Sequence, residues 1–385
     1  MRLAMDGRSL VSPTLRGWDR YTVELVKEFA NRGIEVTLFY RNGEPLYSGH
    51  FQDVRCELIA LDSFKVLQWE QVALPAALRR GRYDVYHAPT DRALPICAPC
   101  PALMTIHSLT RDSYRDLIQT GTLPGRLADY VGPEPKRRWQ VYWNAQVAHA
   151  NHIFTPSEFS KDEIVKFLGM SPEKITVTPL GVPSQFQVAP RVKTARQATL
   201  DKWGLKRPYL LYVGGYEPHK NMSGLLRTFA LVRAARPDVS LAVVGTGAAP
   251  VDLLSVAAEL GLQSGESVFF LRDLTEELAD LYDEAEIFVT MSWRESFGLP
   301  SLEALSRGLR VVGSCWGATR EVLDTLGELV DPRNHAAAAQ AVLKLLAIPP
   351  SADLIGRMHE RAEEFSWART ADATIGIYSN LVDRN

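Results

Sequence analysis

The stretch Ser292–Leu305, SWRESFGLPSLEAL, sets two acids, Glu295 and Glu303, either side of a Phe-Gly-Leu-Pro turn. Pro300 suits the first helical position, where no amide hydrogen is needed. The pattern therefore predicts a helix over Pro300–Arg307 that stops at Gly308. Ser296, Phe297, Gly298 and Leu299 then form a strand-to-helix turn whose backbone N–H groups and positive dipole end favour an anion. Gly298 has no Cβ, so a ligand can approach the backbone there. Glu303 is expected in the first helical turn, with oxygens able to accept two hydroxyls, as from a ribose. Glu295 is expected at the strand end across the turn. The competing reading is a loop-to-helix junction with one capping acid and one solvated acid.

A second segment supports a site. YVGGYEPHKN brings Gly214 and Gly215 to the end of an apolar run, and Lys220 follows as an ammonium suited to phosphate. In TIHSL a buried strand ends with His107 and in DVYHAP another ends with His87, where a strand-end imidazole facing a cleft can hydrogen-bond a sugar or act as an acid or base. A satisfied structural histidine explains His87 at least as well. In LRGWDRYT, Gly17 precedes a helical pattern, where a phosphate or acceptor has room to approach. No G-x-G-x-x-G follows the first strand, and VVGTGAA fails the same pattern, so a dinucleotide fingerprint is absent. The sequence has no Asp-x-Asp pair that would suggest a metal-bridged diphosphate.

These residues need elements to hold them. RLAMDG, EVTLFY, DVYHAP, ALMTIHS, HIFTPS and ITVTPLG read as strands, several nearly all apolar as buried parallel strands are. Helical stretches lie between them. DRYTVELVKEFANRG sets Val23, Leu25 and Phe29 on one stripe and closes at Gly33. SEFSKDEIVKFLG opens on a capping Ser157 and closes at Gly169. Strand-helix alternation implies a parallel sheet with right-handed crossovers. After a proline-rich linker near Pro183–Lys193, YLLYVGG, SLAVVGTG, SVFFL, IFVTMS and RVVGS restart it. The fold class is thus α/β: two Rossmann-like, doubly wound parallel-sheet domains facing a cleft, spanning 1–185 and 195–366. In such sheets ligands bind beyond the carboxyl ends of the strands. The final segment repeats Ile375, Tyr378, Leu381 and Val382 at helical spacing, which predicts a packing helix.

A chain of 385 residues exceeds one ordinary core, which agrees with two domains. The net charge of −2 gives no case for nucleic-acid binding. Cys97 and Cys100 have the spacing of a redox or metal pair, but no second pair completes a zinc site. Two reduced thiols in a proline-flanked loop are the reading they support. The N-terminus MRLAMDGRSLV lacks the apolar core of a signal peptide, and no stretch nears the ~18 apolar residues that span a bilayer. A cytoplasmic protein is expected. PKRRWQVYW (135–143) mixes basic and aromatic residues as interfacial segments do, which suggests peripheral contact at the inner membrane face. An amphipathic helix with a solvated basic end is the other reading.

Over nearly its whole length the sequence resembles the retaining glycosyltransferases of family 4, which have the two-domain GT-B architecture. The specific motif is E-x7-E, from Glu295 to Glu303; YVGGYEPHKN, TIHSL, FTPSEFSKDEI, ITVTPLGV and FSWARTA follow the family's order. The resemblance implies transfer of a hexosyl unit from a UDP- or GDP-linked sugar to a hydroxyl of a saccharide or lipid-linked acceptor, in polysaccharide or glycoconjugate assembly. It implies no cofactor and no metal. The donor would bind mainly the C-terminal domain, with Glu303 on the ribose, Lys220 on the diphosphate and Glu295 against the donor sugar. The amides of Phe297, Gly298 and Leu299 would meet sugar hydroxyls or phosphate, and the base would lie near Arg272–Leu274. His107 would reach the donor sugar from the N-terminal domain, and the last helix, 367–385, would pack back on that domain.

Three departures stand out. Gly215 and His219 occupy places where the family often has an arginine, so a protonated His219 is expected to supply part of the missing charge. The common His-Asp is His107-Ser108, and the N-terminal glycine pair is Gly17-Trp18-Asp19, both on the acceptor side. An epimerase on the same architecture and a non-catalytic sugar-nucleotide binder are the alternatives. A phosphorylase would need a pyridoxal lysine and a much longer chain.

Overall fold

Two wholly parallel sheets carry the architecture in the computed structural model, which describes residues 1–384 apart from 14, 16, 45, 64, 124–136, 246, 273, 275 and 276. Arg16 of the LRGWDRYT segment, Pro135 and Lys136 of the basic segment, and Asp273 of the expected base-binding stretch lie outside the described residues. The chain divides into one unit of Met1–Gly181 with Ser366–Asn385 and a second of Val182–Phe365.

In the first unit β1 (Arg2–Asp6), β2 (Glu35–Arg41), β3 (Cys56–Leu61), β4 (Val85–Ala88), β5 (Ala102–Thr105), β6 (His152–Thr155) and β7 (Ile175–Val177) form a sheet in the order 3-2-1-4-5-6-7. The order reverses between β1 and β4, which brings their carboxyl ends together. β1, β4, β5 and β6 are buried along almost their whole length, which is why their apolar runs were legible. β3, CELIAL, is an edge strand whose residues are half-buried or exposed, and no sequence signal marked it.

The helix Gly17–Asn31 buries Val23, Leu25 and Phe29 as expected, and Gly33 follows it at φ 74°. Ser157 caps the helix Glu158–Leu168 by accepting from the Ser160 amide at 3.1 Å. The final helix, Trp367–Val382, belongs to this first unit. Its buried face is Trp367, Thr370, Ala371, Thr374 and Tyr378. Of the stripe read from the sequence Tyr378 lies in this face, while Ile375, Leu381 and Val382 are only half-buried at its side.

The second unit holds β8 (Tyr209–Val213), β9 (Ser240–Gly245), β10 (Val268–Arg272), β11 (Ile287–Val289), β12 (Val311–Ser314) and β13 (Gly327–Val330), in the order 10-9-8-11-12-13. β13, GELV, is again a half-buried edge strand that the pattern missed. Leu210, Tyr212, Leu241, Val243, Ile287, Val289 and Val312 build the sheet side of the core, and the helix Met222–Ala235 lays Leu225, Leu226, Phe229 and Val232 on it. The linker expected near Pro183–Lys193 ends where the helix Lys193–Trp203 begins.

Phe229 is 1% exposed in that core. Phe229→Ala should cost about 3–5 kcal/mol, the transfer term of a lost ring plus an unfilled cavity. The midpoint of urea unfolding measures it.

Candidate active site

β8 lies between β9 and β11, so the sheet's order reverses at β8 and the carboxyl ends of β8 and β11 stand side by side. Gly214 to Asn221 leave the first of these ends, and Thr290 to Glu295 leave the second. Three contacts join the two segments. The Trp293 amide donates to the His219 carbonyl at 2.8 Å. The Asn221 side-chain amide donates to the Met291 carbonyl at 2.8 Å, while its oxygen caps the helix Met222–Ala235 through the Gly224 amide. Lys220 Nζ donates to both oxygens of Glu295, each at 3.0 Å. Two residues far apart in sequence, expected to act on different parts of a ligand, are thus ion-paired with each other.

Ser292 extends the pair. Its hydroxyl donates to Glu295 Oε1 at 2.6 Å and lies 3.1 Å from that of Thr290. The Ala318 amide donates to the Glu295 carbonyl at 2.9 Å, which fixes the backbone beneath the carboxylate. Burial would raise the Glu295 carboxyl, but Lys220, the Ser292 hydroxyl and His219 outweigh it and hold the group below its ordinary 4.5. Glu295 is therefore an anion at neutral pH.

At His219 burial, then the Lys220 ammonium, lowers the imidazole below its ordinary 6.5, against weaker pulls from Glu295 and Glu217. Both of the larger effects favour the neutral ring. At Gly215 a Cβ would meet the carboxylate of the exposed Glu217, the mobile end of a side chain.

The turn after Glu295 leads into the helix Leu299–Ser306, one residue earlier than predicted. Gly298 is its N-cap at φ 94°, a left-handed conformation that disfavours any side chain. Pro300 is the second helical residue, and Glu303 lies beyond the first turn, where the dipole favours an acid less. Glu303 is held another way. It is 4% exposed, and the Tyr282 hydroxyl donates to its Oε2 at 2.8 Å. Phe297 turns inward, with its ring 5.7 Å from that of Phe365, so only its backbone is available to a ligand. Ser296 and Leu299 complete the turn, both half-buried. At the far end of the helix Arg307 grips Asp283 through two bonds of 2.6 Å.

Sequence reasoning missed four residues around this turn: Tyr282, Ser292, Arg294 and Thr319. Arg294 is 2% exposed beside Glu295, and burial lowers it to about 10. Thr319 is fully buried, its Oγ1 has no hydrogen-bond partner among the described residues, and it lies 3.7 Å from where a Gly298 Cβ would be. Hydroxyl side chains are too common for the spacing of Tyr282, Ser292 or Thr319 to have signalled them. Arg272 ends β10 at the same carboxyl edge of the sheet, and Leu274 follows it, half-buried.

The first unit holds the remaining candidates. His107 follows β5, and its Nε2 lies 2.9 Å from the Pro89 carbonyl. A carbonyl only accepts, so Nε2 carries the proton and Nδ1 keeps a lone pair in the neutral ring. Burial lowers His107 to about 4, which makes the neutral ring the relevant form. His87 is fully buried between Tyr378 and Thr105 and is the structural histidine that the alternative reading described. Gly17 opens its helix, exposed, and Asp19 in the first turn is 6% exposed.

Residues 15–186 match the family model described as Glycosyltransferase Family 4, and residues 207–347 match Glycosyl transferases group 1. The O-antigen chain mannosyltransferase B of Escherichia coli is 28% identical over 95% of this chain and 97% of its own. A D-inositol 3-phosphate glycosyltransferase of Geodermatophilus obscurus is 29% identical over 94% and 84%. Among solved structures, sucrose-phosphate synthase from Thermosynechococcus elongatus superposes with a TM-score of 0.77 at 20% identity, covering both chains fully. Anabaena HepE in complex with UDP and glucose gives 0.73 at 17% identity over 99% of this chain and 100% of its own. These neighbours share the GT-B fold.

The ion pair sets a signed expectation for stability against pH. In the wild type Glu295 has a lowered folded-state pKa, so its contribution is present above about pH 4.5 and is lost below. In Lys220→Met burial acts with less opposition, the folded-state pKa rises, and ionising Glu295 then costs stability as pH rises. The Tm gap between wild type and Lys220→Met should widen as pH climbs through 4.5. A gap independent of pH would contradict the electrostatic account.

Proposed function

Because the chain belongs to the family 4, group 1 glycosyltransferases of GT-B architecture, we propose that it moves a hexosyl unit from a nucleoside diphosphate sugar to a hydroxyl acceptor with retention of anomeric configuration. The observation that carries this reading is the Lys220–Glu295 pair at the carboxyl ends of β8 and β11, beside the N-terminus of the helix Leu299–Ser306. Such a strand edge offers a fixed cation, a fixed anion and free backbone amides within one turn. Those are the groups that a diphosphate joined to a polyhydroxylated sugar requires.

In this reading Lys220 and the amides of Gly298 and Leu299 hold the diphosphate, and Glu295 faces the donor sugar. Glu303, oriented by Tyr282, accepts the ribose hydroxyls. The buried, unpartnered Thr319 hydroxyl supports a polar ligand group at Gly298. The base lies near Arg272 and Leu274. His107, neutral with Nδ1 as acceptor, contributes to turnover from the first unit. Gly17 and Asp19 lie on the acceptor side. In the reaction the bond from the anomeric carbon to the leaving phosphate oxygen breaks, and a bond to the acceptor oxygen forms on the same face. The acceptor's proton passes to the departing phosphate. Lys220 and the helix amides stabilise the charge that grows on that phosphate, so catalysis rests on preorganised electrostatics and orientation. No step uses a metal ion.

The name of one relative, a mannosyltransferase, and a fold neighbour bound to UDP and glucose support a hexose carried on a nucleoside diphosphate. Trp139 and Val141 stand exposed on the helix Arg137–His149, next to Arg137 and Arg138. That surface supports peripheral contact with an anionic membrane, where a lipid-linked acceptor would be presented.

A thermal-shift panel of nucleoside diphosphate sugars should pick out one donor, which then serves in kinetics. With it, Lys220→Met should lose on the order of 10²-fold or more in kcat. Glu295→Ala should lower kcat, and Glu303→Ala should chiefly raise the donor KM. Wild-type constants in all three would overturn the assignment.

A further inference from the structure

The first unit contains a run of buried polar contacts that begins on the last helix and ends at His107. The Tyr378 hydroxyl bonds His87 Nδ1, and His87 Nε2 lies 2.7 Å from Thr105 Oγ1. Thr105 Oγ1 lies 3.0 Å from the Tyr21 hydroxyl. The Tyr21 ring then meets the His107 ring edge-on, at 4.8 Å between centroids and 84° between planes. Tyr378, His87, Thr105 and Tyr21 are each no more than 1% exposed. Water cannot replace any of these partners cheaply, so the links are mutually dependent.

Proton counting ties the two ends of His87 together. Burial, with His107 nearby, lowers His87 to about 3, so its ring is neutral and has one N–H. His87 must therefore accept at one nitrogen and donate at the other, which couples the Tyr378 bond to the Thr105 bond. Thr105, with one proton and two lone pairs, can serve both His87 and Tyr21. Burial raises Tyr21 to about 12 and keeps it a phenol. The last helix also meets Tyr21 directly, through Trp367 at 6.3 Å between ring centroids. His107 itself has only the Pro89 carbonyl at Nε2 and this ring contact to fix its plane among the bonds described.

We propose that Tyr378 is a positioning residue for glycosyl transfer, orienting His107 through His87, Thr105 and Tyr21. The inference rests on the reading that His107 contributes to turnover. It gives the return of the chain's last helix a role in catalysis as well as in packing.

Tyr378→Phe removes the first link and keeps the ring. Its kcat should fall roughly tenfold, the order expected when a reacting group is slightly misplaced, with the donor KM unchanged. Adding it to His107→Ala should cause no further loss, because the relay then has nothing to orient. Thr105→Val, which cuts the run at its middle, should reproduce the effect and decides the matter if Tyr378→Phe does not fold. Wild-type kcat in these variants while His107→Ala is impaired would overturn the proposal. So would losses that multiply in the double variant, since they would mark a general structural effect. Wild-type turnover in His107→Ala would instead remove the reading on which the proposal stands.

Discussion

The second unit depends on one pairing, that of β8 with β11. Two parallel neighbours with residues 214–286 between them end at the same edge, and whatever follows each strand is delivered to a common place. A lysine after one strand and a glutamate after the other become an ion pair by topology alone. The serine and the two backbone bonds around that pair then set its geometry. A charge pair placed this way is largely withdrawn from water, which makes each partner's field stronger and each partner's loss more costly.

That arrangement also defines what the site must do to work. Lys220 and Glu295 satisfy one another in the structure, so a ligand has to offer both an anion for the first and donors for the second. A phosphate linked to a sugar has both. A simple anion would gain the lysine but leave a buried carboxylate with less support. The pair is in this sense selective, because it rewards a ligand with two kinds of group over one with either alone.

Much of this was legible before any coordinates. The fully buried strands announced themselves as apolar runs, and Ser157, Gly169 and Gly33 marked helix ends because capping is local chemistry. β3 and β13 were not legible, since an edge strand is half-exposed and loses the apolar signature. In the last helix Thr370 and Thr374 face inward, so counting apolar residues shifted the stripe off the buried face. Glu295 and Glu303 drew attention through their spacing and Lys220 through the glycine-rich segment before it, and the fold pairs Lys220 with Glu295. Tyr282 and Ser292 gave no such signal, because each matters through a partner that the fold supplies, and Thr319 gave none because only the fold buries its hydroxyl without one. The surroundings of His219 and Gly215 were equally hidden, since burial with Lys220 and the Glu217 side chain are supplied by the fold.

The central claim is that the turn between Glu295 and Glu303 holds the donor's diphosphate and ribose. A crystal structure with the nucleoside diphosphate bound tests it most directly. The account predicts phosphate oxygens within hydrogen-bond reach of Lys220 Nζ and the Gly298–Leu299 amides, with the ribose hydroxyls on Glu303. A nucleotide bound with neither Lys220 nor Glu303 in contact would contradict it.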